Sequence, residues 1–251
     1  MKLAGKVALI TGAGSGMGRT ASSIFAAEGA AVAAVDLNEA AANETARQIA
    51  TQGGKSFGLH ADVSNAGDAE AMVAQTIARF GRLDVLYNNA GIEGEAAFLA
   101  QFSNEAFDRV IAVNLRGVFL GMKAALPHMI QRGGSIINTA SMAATVAQKG
   151  GAAYCAAKAG VVALTKVAAL EYARYNIRVN CICPGAVETP MLERLAERHG
   201  ATPSQVFANV AAIGRAAAPE EIARVALFLA SDDSSYATGS TFQIDGGSML
   251  G

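Results

Sequence analysis

The sequence is short of charge, short of cysteine and free of like-charged runs. Lys, Arg, Asp and Glu make up 16% of its 251 residues, against about 25% in ordinary globular chains. Twenty basic and 21 acidic residues leave a formal charge of −1, so the basic face that nucleic-acid phosphates require is missing. No block of one sign suggests a tail or a membrane-surface helix. Cys155, Cys181 and Cys183 are odd in number and lack metal-ligand spacing, so buried reduced thiols and no metal site are expected. No stretch offers the about 18–20 strongly apolar, uncharged residues of a transmembrane helix, and no membrane association is expected. The opening Met1-Lys2-Leu3-Ala4-Gly5-Lys6 runs into a strand-like segment without an apolar leader, which points to the cytoplasm. Linkers, low-complexity segments and short-period repeats are also missing.

What is abundant is alanine and glycine. Hydrophobic residues reach 52%, inflated by 55 alanines, a composition that suits long amphipathic helices. The 27 glycines cluster where chemistry would want bare backbone. Apolar, β-branched runs predict strands at Val7–Thr11, Ala31–Asp36, Ser56–Ala61, Leu83–Asn88, Ser135–Thr139, Arg178–Cys183 and Phe242–Asp245. Most are continuously apolar, as in a parallel sheet covered on both faces. Helical patterns lie between them at Arg19–Glu28, Glu39–Gln52, Ala66–Phe80, Asn104–Gln131, Ala152–Tyr175 and Pro219–Ala230. Pro219-Glu220-Glu221 is a helix start, with proline in the first turn and acids at the positive end of the dipole. The alternation implies right-handed crossovers and one α/β, doubly wound domain over residues 1–251. The segment from 188 to 214 is too long for a simple connection and predicts a lid, with helical pieces around Leu192–Arg198 and Ser204–Val210.

Two constellations carry chemistry. The first strand runs into Gly12-Ala13-Gly14-Ser15-Gly16-Met17-Gly18, which opens a helix. Bare backbone there lets N–H groups approach a pyrophosphate at the helix's positive end. The strict G-x-G-x-x-G register is not kept, and a methyltransferase could use such a turn as well. Asp36, at the end of the second strand, can accept hydrogen bonds from the adenosine ribose and would repel a 2′-phosphate. Ser15 and Leu37 bring no positive charge, so NAD(H) is expected over NADP(H), with Arg19 the nearest cation that could reach the adenosine.

Tyr154 and Lys158 lie four apart in a helical segment and share one side of it. Bringing a phenol from about 10 toward neutral pH takes about 4 kcal/mol, which one ammonium a few ångströms away can supply. No other tyrosine has a lysine four residues later. Ser141 follows a predicted strand at the carboxyl edge, where open α/β sheets place ligands, and could hold a carbonyl while Tyr154 transfers the proton.

Together with Asn88-Asn89-Ala90-Gly91, Asn114, Pro184-Gly185, Thr189 and Asp245-Gly246-Gly247, these features resemble the short-chain dehydrogenase/reductase family over essentially the whole chain. The resemblance implies a Rossmann-type, seven-stranded parallel sheet with helices on both faces, usually in a homotetramer. It implies that Gly12, Ser15, Gly16, Met17 and Gly18 wrap the pyrophosphate, Asp36 the ribose with Leu37 beside it, and Asp62 and Val63 the adenine. Asn89, Ala90 and Gly91 would line the cofactor, and Pro184, Gly185, Val187 and Thr189 would position its carboxamide. Ser141 would polarise a carbonyl, Tyr154 act as acid and base, and Lys158 bind the nicotinamide ribose and depress the phenol. Asn114 would hold a helix kink and a relay water. The implied activity interconverts a secondary alcohol and a ketone with NAD.

Ile92, Glu93, Met142, Ala143, Gln148, Gly151, Val187 and Met191, with Ser141, Tyr154 and the lid, are the expected substrate pocket. That set holds no basic clamp, so a neutral or weakly polar alcohol or ketone is expected. The family also contains NADPH-dependent 3-oxoacyl-carrier-protein reductases, against which Asp36 speaks. A non-catalytic nucleotide-binding protein on the same fold would leave the Ser141, Tyr154 and Lys158 set unexplained.

Overall fold

The computed structural model describes residues 1–198, 202 and 211–250. Seven strands form one sheet: β1 (Val7–Thr11), β2 (Ala31–Asp36), β3 (Lys55–His60), β4 (Val85–Asn88), β5 (Gly134–Thr139), β6 (Ile177–Pro184) and β7 (Thr241–Ile244). Their order is β3-β2-β1-β4-β5-β6-β7 and every pairing is parallel. Among the described residues the α-helices are α1 (Gly16–Ala27), α2 (Glu39–Thr51), α3 (Ala66–Phe80), α4 (Asn104–Ile111), α5 (Gly117–Met129), α6 (Ala152–Tyr172), α7 (Pro190–Arg198) and α8 (Pro219–Ala230).

The apolar runs serve two cores at once. In β1, Leu9 faces a core built with Met72 and Val73 of α3, Met122 and Leu126 of α5, and Val161 of α6. Its neighbours Ala8 and Ile10 face the opposite core, with Phe25 of α1, Ile49 of α2, and Ile222 and Leu229 of α8. The two-residue pleat puts successive side chains on opposite faces, and both faces are dry. Asp84, just before β4, seats β1 by accepting the Val7 amide at 2.8 Å. Chain order reverses between β1 and β4, and this topological switch opens a crevice at the carboxyl ends of the strands.

Two expectations need correction. The helix expected over Asn104–Gln131 ends at Met129 and carries a π turn at Ala112–Arg116 that divides it into α4 and α5. The side chain of Asn114, fully buried, accepts the Ile92 amide and donates to the Ile92 carbonyl, both at 2.8 Å. Periodicity cannot see that distant backbone partner, and a π turn accommodates it. Second, Asn104–Met129 and Ala152–Tyr175 are long and apolar enough to cross a membrane by length and composition, each with mean hydropathy 1.4. Both pack on the sheet, and their alanines and leucines serve the first core. Within the expected lid, α7 matches the first helical piece, whereas Ser204–Val210 lies outside the described residues.

Candidate active site

The glycine turn is shaped by close packing as much as by exposure. Gly12 and Gly16 sit at φ +66° and +49°, which disfavours any side chain there. A Cβ on Gly18 would run into the Gly12 carbonyl, so this residue closes the turn on itself. At Gly14 the neighbour is Asp36: the Gly14 amide donates to Asp36 Oδ2 at 2.9 Å, and Asn38 donates to Oδ1 at 2.9 Å. Arg19 hydrogen-bonds the Gly14 carbonyl and donates from Nε to Thr45 Oγ1 at 3.2 Å. The cation that could have received a phosphate beside Asp36 is therefore tied to the back of the turn.

A cleft of about 460 Å³ runs along this edge. It brings together Gly12, Ser15, Gly16, Met17, Asp36, Leu37, Asp62, Val63, Asn89, Ala90, Gly91, Ile92, Thr189 and Met191 from the expected set. Two features fit a dinucleotide. Helix α1 begins at Ser15 with no side-chain cap and no acid in its first turn, so its leading amides and dipole are available to an anion. The buried Asn89 Oδ1 lacks a partner among the described residues, while its Nδ2 is spent on the Thr11 carbonyl at 3.1 Å. Gly18, Pro184, Gly185 and Val187 do not line this cleft. Gly185 packs against Asp245, donating to the Ile244 carbonyl at 3.0 Å, and Val187 bridges to Ala217.

Ser141 follows β5 and Tyr154 sits in the first turn of α6. Ser141 Oγ accepts the Ala143 amide at 3.2 Å, and Met142 and Ala143 form a short 3-10 turn. Lys158 is buried one turn beyond Tyr154, and its Nζ donates to the Thr139 carbonyl at 2.8 Å. That ammonium lies 5.6 Å from the Tyr154 ring centroid and close behind Gly91. The expected lowering of the phenol is not found. Burial raises the Tyr154 pKa, and the Ser141 hydroxyl pulling it down does not offset this. Burial also brings the Lys158 pKa down to about 8, so its ammonium is held at neutral pH and given up in mild alkali.

Holding that ammonium in the interior has a measurable signature. The folded pKa lies below the ordinary value of 10.5, so the unfolded chain binds more protons between the two. Stability must then rise as pH climbs from about 8 to 10.5. Relative to Lys158→Met, the wild type is expected to gain about 3 kcal/mol across that window in urea unfolding. Parallel pH profiles would overturn the assignment of a buried, strained charge.

The remaining expected pocket residues divide. Gln148 is exposed and Gly151 only donates back to the Gln148 carbonyl at 3.0 Å. Glu93 forms an ion pair with Arg194 of α7 at 3.0 Å. The expectation of a pocket without basic residues is corrected: Arg109 of α4 and Arg194 both line the cleft, and both also line a neighbouring one of about 900 Å³. Nothing local in the sequence brings these two helices to one opening. Ala112 and Val113 also line the cofactor-sized cleft, and their place beside Asn114 on the π turn was the one signal available. The three cysteines are free thiols, Cys181 and Cys183 buried and Cys155 half-buried.

A family model described as enoyl-(acyl carrier protein) reductase matches residues 12–249. The chain is 42% identical to the 3-oxoacyl-[acyl-carrier-protein] reductase FabG of Thermotoga maritima, covering 100% of both. It is 41% identical to the cyclohexanol dehydrogenase of Acinetobacter sp. (strain SE19), over 98% of this chain and 95% of that one. The crystal structure of levodione reductase superposes with a TM-score of 0.94 at 39% identity, covering 99% of each chain. Family model, relatives and fold agree: the chain belongs to the short-chain dehydrogenase/reductase family of oxidoreductases, which use NAD(P) cofactors.

Proposed function

We propose that the protein is an NAD(H)-dependent dehydrogenase that interconverts a secondary alcohol and its ketone. The observation that carries this reading is the placement of Ser141, Tyr154 and Lys158 at the carboxyl edge of β5, beside the cleft that ends at Asp36. The bound nicotinamide would supply the hydride acceptor or donor. Tyr154 Oη takes the hydroxyl proton of the alcohol, or returns it to the ketone oxygen, with Ser141 Oγ holding that oxygen in place. Lys158 holds the ribose side of the site and Asn114 fixes the π turn beneath it. Asp36, which lines the cleft, would accept from the ribose hydroxyls and repel a 2′-phosphate, and Arg19 is engaged elsewhere, which favours NAD(H).

The substrate proposed is neutral or weakly polar, because Arg194 is already matched by Glu93, which leaves Arg109 as the cation that the anionic substrates below would test. The test is a panel of cyclic, aliphatic, aryl and steroid alcohols with NAD⁺, alongside carboxylated and phosphorylated alcohols. Neutral secondary alcohols are expected to lead in kcat/KM, and a wide lead by the anionic ones would overturn this part. A second reading, an NADPH-dependent 3-oxoacyl-carrier-protein reductase, is favoured by the full-length similarity to FabG. It would be carried by turnover of 3-oxoacyl thioesters with NADPH exceeding that with NADH.

A homotetramer in the cytoplasm completes the proposal. Phe107, Phe119, Val167 and Leu170 leave apolar surface exposed on α4, α5 and α6, which a second copy could cover. Free thiols suit a reducing compartment. Sedimentation equilibrium is expected to give four chains per particle, and a monomer would overturn it.

A further inference from the structure

Helix α7 borders the cleft from outside the sheet. Pro190, Met191 and Arg194 line the opening, with Thr189 packed against Gly16 just before the helix. Leu192 and Ala196 are buried and anchor one face of α7. Among the described residues, a polar tie reaches across. Arg194 Nε donates to Glu93 Oε1 at 3.0 Å and a terminal guanidinium nitrogen donates to Oε2 at 3.4 Å, between positions 101 residues apart. Two parallel bonds between a guanidinium and a carboxylate fix orientation as well as distance. The Glu93 side chain is 16% exposed and that of Arg194 54%, so the carboxylate end of the pair is shielded while the guanidinium end meets solvent. Glu93 also follows directly on Asn89–Ile92, which line the same cleft, so the pair joins one wall to the other.

We propose that the Glu93–Arg194 ion pair is a positioning contact that holds α7 across the coenzyme cleft and sets how long the coenzyme stays bound. The coenzyme part of this rests on the function proposed above. Neither side chain handles the proton or the hydride. The Glu93 charge also faces Tyr154 and raises the phenol. Binding, rather than turnover, is therefore the readout that isolates the pair.

The experiment uses the full chain and the variants Glu93→Gln, Arg194→Gln, Arg194→Lys and the Glu93→Gln/Arg194→Gln double. Hydrogen exchange of α7 amides is followed without coenzyme, and NADH release is followed by stopped-flow fluorescence. Each glutamine variant is expected to speed NADH release and α7 exchange by about fivefold. The double variant is expected to be no worse than the Glu93→Gln single, since the pair itself is lost only once. Arg194→Lys, which keeps a charged donor, is expected to recover part of the effect. Unchanged exchange and release in both singles would overturn the proposal. So would faster release in Arg194→Gln with slower release in Glu93→Gln, which would mean that Arg194 binds the coenzyme phosphates itself. If the wild type bound no NADH, the functional reading would fall, while the exchange data would still judge the pair.

Discussion

Tyr154→Phe is expected to lower alcohol oxidation and ketone reduction by about a thousandfold while leaving NADH affinity unchanged, because proton transfer by a positioned side chain contributes about 10²–10⁴ in rate. The ring that packs beside Lys158 is kept, so only the Oη proton carrier is removed. The measurement is kcat together with NADH affinity by fluorescence titration. Turnover within tenfold of wild type would remove Tyr154 from the chemistry. The structure adds a requirement on pH. The phenol is raised by burial, so it stays protonated at neutral pH in the free protein. Ketone reduction, which needs the proton, should hold its rate across neutral pH, whereas alcohol oxidation should climb as the pH rises.

Asp36→Ala is expected to shift the NAD⁺ over NADP⁺ ratio of kcat/KM by about a hundredfold toward NADP⁺. Two unit charges about 4 Å apart repel by about 4 kcal/mol at an effective dielectric of 20, and water at this half-open site takes part of that away. The same carboxylate also holds the Gly14 amide, so the variant should lose about 1 kcal/mol of stability through the loosened turn. Urea unfolding measures that second effect separately. An unchanged coenzyme ratio would refute the ribose assignment even if stability fell.

The strands and most helices were legible because buried parallel strands and Ala-rich helices leave continuous local patterns. Pro219 begins α8 as its first-turn chemistry requires. The glycine turn, Asp36 and the segment from Asn89 to Gly91 were legible as a site because each follows directly on a strand end. Misreadings arose where the deciding partner lies far along the chain. The helical pattern over Asn104–Gln131 does not show that Asn114 holds its π turn through Ile92, nor does the sequence show that Glu93 faces Arg194. The Tyr154–Lys158 spacing places both groups on one helix face, but burial of the phenol, which raises it, is not written in that spacing. Spacing says that two groups share a helix face, and says nothing of how dry that face is. Arg109 and Arg194 escaped notice because only the packed sheet brings α4 and α7 to one opening.

The strand order has a consequence for how the chain is made. β1 leaves the ribosome first yet lies in the middle of the sheet, and its second neighbour, β4, ends only at Asn88. Until then the nascent β1–β2–β3 half carries an open, mostly apolar edge of the type that recruits foreign strands. Slow translation between β3 and β4 should therefore raise aggregation more than an equal pause after β6, when only the outermost strand remains to be added.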